Sequence, residues 1–106
     1  MSKYKSKNQY TVLDAVTANT ARVSLELGLA ETIQVTIAIP VNTTAVTVTT
    51  SGYDGTNWVV VDTTTKEATT GNFVVYHKDA NMWEKIGIAT SAQTNATVSA
   101  YVNVGA

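Results

Sequence analysis

The sequence predicts an all-β chain, an antiparallel β-sandwich or jelly roll of about eight short strands with little or no helix. Three observations carry that prediction. Threonine and valine dominate the composition, and both are stiff at χ1 and suit a pleated surface better than a helix. Apolar residues alternate with period two in several separate runs. Polar clusters such as TGN, KDAN and AQTN punctuate those runs at regular spacing. A small closed barrel is the alternative architecture.

From the N-terminus, QYTVLDAVT is the first candidate strand, followed by ARVSLEL, where Val23, Leu25 and Leu27 oppose Arg22, Ser24 and Glu26. The nearest approach to a helix is LGLAETI, but it carries a glycine and leads into a β-branched run. In ETIQVTIAIP, Ile33, Val35, Ile37 and Ile39 share one face, and Pro40 removes a ladder donor and ends the strand. AVTVTTS and WVVVD read as two strands joined by GYDGTN, a hairpin connection in which Gly52 and Gly55 can take positive φ. Trp58 and Val60 are expected to face the core, which turns Val59 and Val61 toward a covered second face or a subunit contact; the competing reading makes Trp58 a surface anchor. FVVYHK and WEKIGIAT follow. Near the C-terminus ATVSAYVNV places Ala96, Val98, Ala100, Val102 and Val104 inward. Thr97, Ser99, Tyr101 and Asn103 then point outward, with no charge on either face.

A chain of 106 residues fits one domain with one modest core. The expected division is a flexible basic arm over residues 1–9 and a single sandwich over 10–106. A net charge of −1 with 14% charged residues supplies no overall field for nucleic acid or an anionic membrane, so neither is an expected partner. Cysteine is absent, so neither disulfides nor thiolate zinc sites supplement apolar burial. No apolar run follows the lysines of MSKYKSKNQY, and none approaches the roughly 18 residues a membrane span needs. The chain therefore reads as soluble and without a signal peptide. Sequons at Asn42 and Asn95 are expected by chance in a chain this rich in Asn and Thr.

The residues that carry chemistry do not assemble into a catalytic pattern, and no enzyme activity is expected. His77 is the single histidine, and without a cysteine or a second histidine it completes neither a triad nor a transition-metal site. It reads as a structural histidine near a strand end. The carboxylates Asp14, Glu26, Glu31, Asp54, Asp62, Glu67, Asp79 and Glu84 are scattered over separate strands and turns. A glycosidase pair needs about 5 to 9 Å between two of them, and nothing in the sequence selects a pair. Asp54, Asn57 and Asp62 surround one loop, but DGTNWVVVD lacks the alternating ligand pattern of a calcium loop. Neither GxxxxGK nor GxGxxG occurs. No cofactor and no metal are expected.

Lys3, Lys5 and Lys7, three of the seven basic residues, lie beside Tyr4 and Tyr10. They form either a solvated mobile terminus or an arm that orders when it docks on an acidic neighbour. Three lysines neutralise too few phosphates for tight nucleic-acid binding.

The phrases AETIQVTI, SGYDGTNWVVVD and ATSAQTNATVSAYVNVGA resemble small β-sandwich proteins of tailed-bacteriophage virions, which decorate capsids or form head fibres and tail accessories. The resemblance covers most of the chain after Tyr10. It implies a structural virion protein, most specifically a capsid decoration or cement protein on the outer face of the major capsid lattice. The implied partner is the major capsid protein or another virion protein, the implied assembly a homo-oligomer with a trimer favoured, and the implied location the virion. The outward residues Tyr101 and Asn103 suit such a contact, since interface cores are poor in charge and rich in tyrosine. DGTNW is also similar to a phrase of galactose-binding-like jelly rolls, which implies as alternative a glycan-binding or adhesive module of a tail fibre.

Overall fold

The computed structural model describes residues 8–28, 30, 32–40, 43–66, 73–77 and 83–105, with backbone alone at 8, 64, 66 and 73–77. Eight strands run through them: β1 (Asn8–Val16), β2 (Thr20–Glu26), β3 (Thr32–Ala38), β4 (Ala45–Tyr53), β5 (Trp58–Lys66), β6 (Phe73–His77), β7 (Lys85–Thr94) and β8 (Val98–Gly105). No helix occurs among the described residues. The strands form two antiparallel four-stranded sheets, in the orders β1-β8-β3-β6 and β2-β7-β4-β5. Only β4 and β5 are neighbours both in sequence and in a sheet; every other connection leaves one sheet for the other. That is the jelly-roll order, and the expected sandwich is the observed fold.

The alternation in the sequence becomes the core. Ile33, Val35 and Ile37 from β3 and Val98, Ala100 and Val102 from β8 meet Val46 and Val48 from β4 and Ile86 and Ile88 from β7, all buried. Burying each Val or Ile contributes about 1.5–3 kcal/mol, which offsets the ordering of a chain without a disulfide. Central strands β3 and β8 hold continuous register from Thr32↔Gly105 to Ala38↔Ser99. Edge strand β1 is irregular, with register shifts between Thr11 and Leu13 and between Leu13 and Val16. The second shift coincides with Ala15 in the left-handed region, at φ 50. Such bulges blunt a sheet edge.

Two expectations about the β4–β5 hairpin are corrected. Gly55 takes positive φ at 101, but Gly52 does not. Gly52 is instead a matter of space, because a Cβ added there would overlap the Trp83 indole on the inner side of the sheet. Trp58, expected in the core, lies half-buried on the outer face. Its partner in register is Tyr53, one residue beyond inward-facing Gly52. Trp58 and Val60 do share a face, but that face points away from the core, and Val60 is 61% exposed. The aromatic that packs against the buried cluster is Trp83. Val61 is the extra residue where Ser51↔Val60 gives way to Thr50↔Asp62.

Candidate functional site

The outward face of β1, β8 and β3 is built in ladder rows. Gln9, Asn103 and Gln34 form one row, and Thr11, Tyr101 and Thr36 the next, while Ser99 opposes Ala38. Directly opposed residues share a face, so these side chains lie together. Gln9 Nε2 donates to Asn103 Oδ1 at 3.2 Å. Gln34 Nε2 donates to Thr36 Oγ1 at 3.3 Å, and the Ala15 amide donates to Ser99 Oγ at 3.0 Å. Tyr101 stands half-buried between two threonines, and no residue in these rows is charged. Desolvating such a face costs no ion its hydration shell.

Tyr101 and Asn103 thus lie on one face as neighbours in β8. Tyr10 does not join them. It opposes buried Val102, so it belongs to the inward side of edge strand β1, where it remains 43% exposed. Lys3, Tyr4, Lys5 and Lys7 lie outside the described residues, as does the side chain of His77. Asn8 and Gln9, assigned to the arm from the sequence, already pair with Val104 and Asn103.

The opposite face, on β2, β7, β4 and β5, has different chemistry. Arg22 from β2 reaches across β7, and its guanidinium carbon lies 4.2 Å from the Trp58 ring centroid. Trp58 packs on Tyr53 with centroids 5.1 Å apart and rings tilted by 41°. Lys85 Nζ sits 5.3 Å from the Tyr53 ring centroid and 3.6 Å from Glu26 Oε1. Gly87 lies beneath, where a Cβ would collide with the Arg22 stem and press on the Trp58 ring. Arg22 and Trp58 therefore form a cover over the middle of the sheet. One face of the indole is occupied by the guanidinium and is not open for a sugar to stack on. Sequence reading singled out Trp58 but missed Arg22, Tyr53 and Lys85, which come from three other strands and meet it only once the register is known.

In the hairpin, Asp54 Oδ1 accepts from the Asn57 amide at 2.7 Å and the Thr56 amide at 2.8 Å. Those two backbone bonds, Asn57 first, hold the Asp54 carboxyl below the ordinary carboxylate range. Its oxygen serves the turn, as an Asp-Gly turn demands. Among the described residues no three His, Asp or Glu gather closely enough to hold a metal ion.

No protein-family model and no curated protein matches the sequence. Solved structures share its fold. The SPBc2 prophage-derived protein YomS superposes with a TM-score of 0.69 at 13% identity, covering 100% of this chain and 98% of that one. A protein of Bacillus endospore appendages, which form a family of disulfide-linked pili, superposes with a TM-score of 0.52 at 16% identity, covering 96% of this chain and 89% of that one. At these identities the likeness is one of fold.

Proposed function

We propose that this chain is a structural virion protein of a tailed phage, and more specifically a capsid decoration protein that docks on the outer face of the major capsid lattice. The observation that carries the reading is the uncharged polar face centred on Tyr101, a sheet surface whose rows are already hydrogen-bonded and carry no ion to desolvate. The fold shared with a prophage-derived protein supports it. The pilus protein of the same fold belongs to a disulfide-linked family, whereas this chain has no cysteine and must assemble through noncovalent surfaces. Lys3, Lys5 and Lys7, with Tyr4, supply a second contact on an acidic shell surface. The resemblance implies a trimer as the docking unit, and its mass can be read in the same preparation.

The test is saturation binding to empty capsids of the phage that encodes the chain. Binding at a fixed ratio per lattice position, with increased resistance of the shell to heat, is expected, because a ligand stabilises the state it binds. Tyr101→Ala should weaken binding without unfolding the sandwich, and free sugars should not compete. Deletion of the arm must stop at Lys7, since Asn8 already pairs with Val104. Replacing the three lysines by Gln should weaken binding most at low salt, where exposed charges are least screened. Absence of shell binding together with saturable binding to a host glycan would replace decoration by adhesion.

A further inference from the structure

Edge strand β2 reads as its own chemical complement. In Ala21-Arg22-Val23-Ser24-Leu25-Glu26-Leu27, Ser24 is the centre, Arg22 and Glu26 are equidistant from it, and so are Val23 and Leu25. Arg22, Ser24 and Glu26 point to the outer face and are exposed, while Val23 and Leu25 oppose the buried Ile88 and Ile86. Among the described residues β2 pairs only with β7, and none of them takes up the ladder groups on its other edge. Val23 is 37% exposed although its face points inward. The run from Val23 to Glu26 keeps regular register with β7, the irregularity lying between Thr20 and Val23.

We infer that β2 pairs antiparallel with β2 of a second copy across a two-fold axis through Ser24. The two four-stranded sheets then become one sheet of eight. About that axis Arg22 falls opposite Glu26 of the second copy, and Glu26 opposite its Arg22. Val23 covers Leu25 of the second copy and Ser24 meets Ser24. A two-fold interface must be self-complementary in this way, and opposite charges directly across an antiparallel pair attract. The three other edges lack this symmetry: β1 is broken twice by register shifts, β5 carries the extra Val61, and β6, with the sequence FVVYH, has no pair of opposite charges about its centre. In the single chain the Arg22 guanidinium rests over Trp58. An exposed cation–π contact is weak enough for the side chain to turn to the new carboxylate. Pairing one short strand buries less than the roughly 1,600 Å² of a standard interface, so micromolar rather than nanomolar association is expected. The inference does not rest on the capsid reading, and it puts a two-fold dimer in solution in place of the trimer that the resemblance implies.

The absence of cysteine supplies a clean test. Opposed residues of an antiparallel pair have Cα atoms about 4.5–5.5 Å apart, within the range a disulfide bridges. Ser24→Cys should therefore oxidise to a covalent dimer at least about tenfold faster than Thr63→Cys, an exposed site on β5, because pairing raises the local thiol concentration. Sedimentation of the unmodified chain should give a dimer at high micromolar concentration. Arg22→Glu or Glu26→Arg alone should weaken that dimer about tenfold, since symmetry repeats each like-charge contact, and the double swap should restore it. Equal oxidation rates at the two cysteine sites, or a monomer at every concentration, overturns the pairing. So does a double swap no better than either single change. A trimer mass with slow Ser24→Cys oxidation also overturns it, and leaves the proposal of shell docking standing.

Discussion

Gly52 and Trp83 share one space: the position a side chain at Gly52 would occupy is filled by the Trp83 indole. The ring comes from the segment just before β7 and closes one end of the core, while Glu84 anchors that segment by donating its amide to the Tyr53 carbonyl at 2.8 Å. A methyl group cannot enter without displacing the ring. Gly52→Ala is therefore expected to cost about 1–3 kcal/mol by overpacking. Adding Trp83→Phe should recover part of that loss, and a coupling energy from chemical denaturation of the two single changes and the pair checks it.

Trp58 should behave differently from a core aromatic. It is half-buried and covers Gly87 from outside. Trp58→Ala is expected to cost about 1–2 kcal/mol, less than the roughly 2–5 kcal/mol of Ile86→Ala at a fully buried position. In a cycle with Arg22→Ala the coupling should be about 0.5–1 kcal/mol, as for an exposed cation–π pair. Urea unfolding of the four proteins measures both quantities. A loss at Trp58 equal to that at Ile86 would return the residue to a core role.

The strands were legible wherever alternation persisted. Ile33, Val35, Ile37 and Ile39 are buried as their spacing requires, and so are Ala96, Val98, Ala100 and Val102. Period two gives which residues share a face but not which face is inward. In WVVVD the two readings differ by one residue of register, so the spacing alone does not say whether Trp58 and Val60 face in or out. Trp83 carried no periodic signal because it precedes its strand. The centre of the Tyr101 face was readable because Ser99, Tyr101 and Asn103 alternate on one strand, whereas Gln9, Thr11, Gln34 and Thr36 join it only through the register. The Arg22–Trp58 cover was not, because it joins β2 to β5 across two intervening strands.

Two polar residues, Thr50 in the interior and the half-buried Gln93, should respond in opposite senses. Thr50 is fully buried, and its Oγ1 has no hydrogen-bond partner. Thr50→Val keeps the shape and removes the unpaired hydroxyl, so stability should be unchanged or rise by about 1 kcal/mol.

Gln93 is the contrary case. Its Nε2 donates to the Val16 carbonyl at 2.8 Å and to the Ala96 carbonyl at 3.0 Å, and its Oε1 accepts from Thr90 Oγ1 at 2.7 Å. Gln93→Leu removes all three bonds, although Thr90 Oγ1 still accepts from the Thr20 amide, and should cost about 1–3 kcal/mol. Thermal unfolding of both variants under one buffer distinguishes a stabilising change from a destabilising one.

The Asp54 turn predicts a pH dependence whose sign is fixed by its geometry. The Asn57 and Thr56 amides donate to the carboxylate and hold its folded-state pKa below the ordinary value. A depressed carboxylate contributes stability above its unfolded-state pKa and loses it as pH falls through the folded-state pKa. Asp54→Ala should therefore be less stable than the parent at pH 7, and the gap should narrow on acidification below the carboxylate range. Asp54→Asn keeps an oxygen acceptor without the charge and should lie between the two at neutral pH. Denaturant midpoints of the three proteins at neutral pH and near about pH 2 check the order. A gap between Asp54→Ala and the parent that stays constant across that range would show that the turn needs the oxygen alone and draws nothing from its charge.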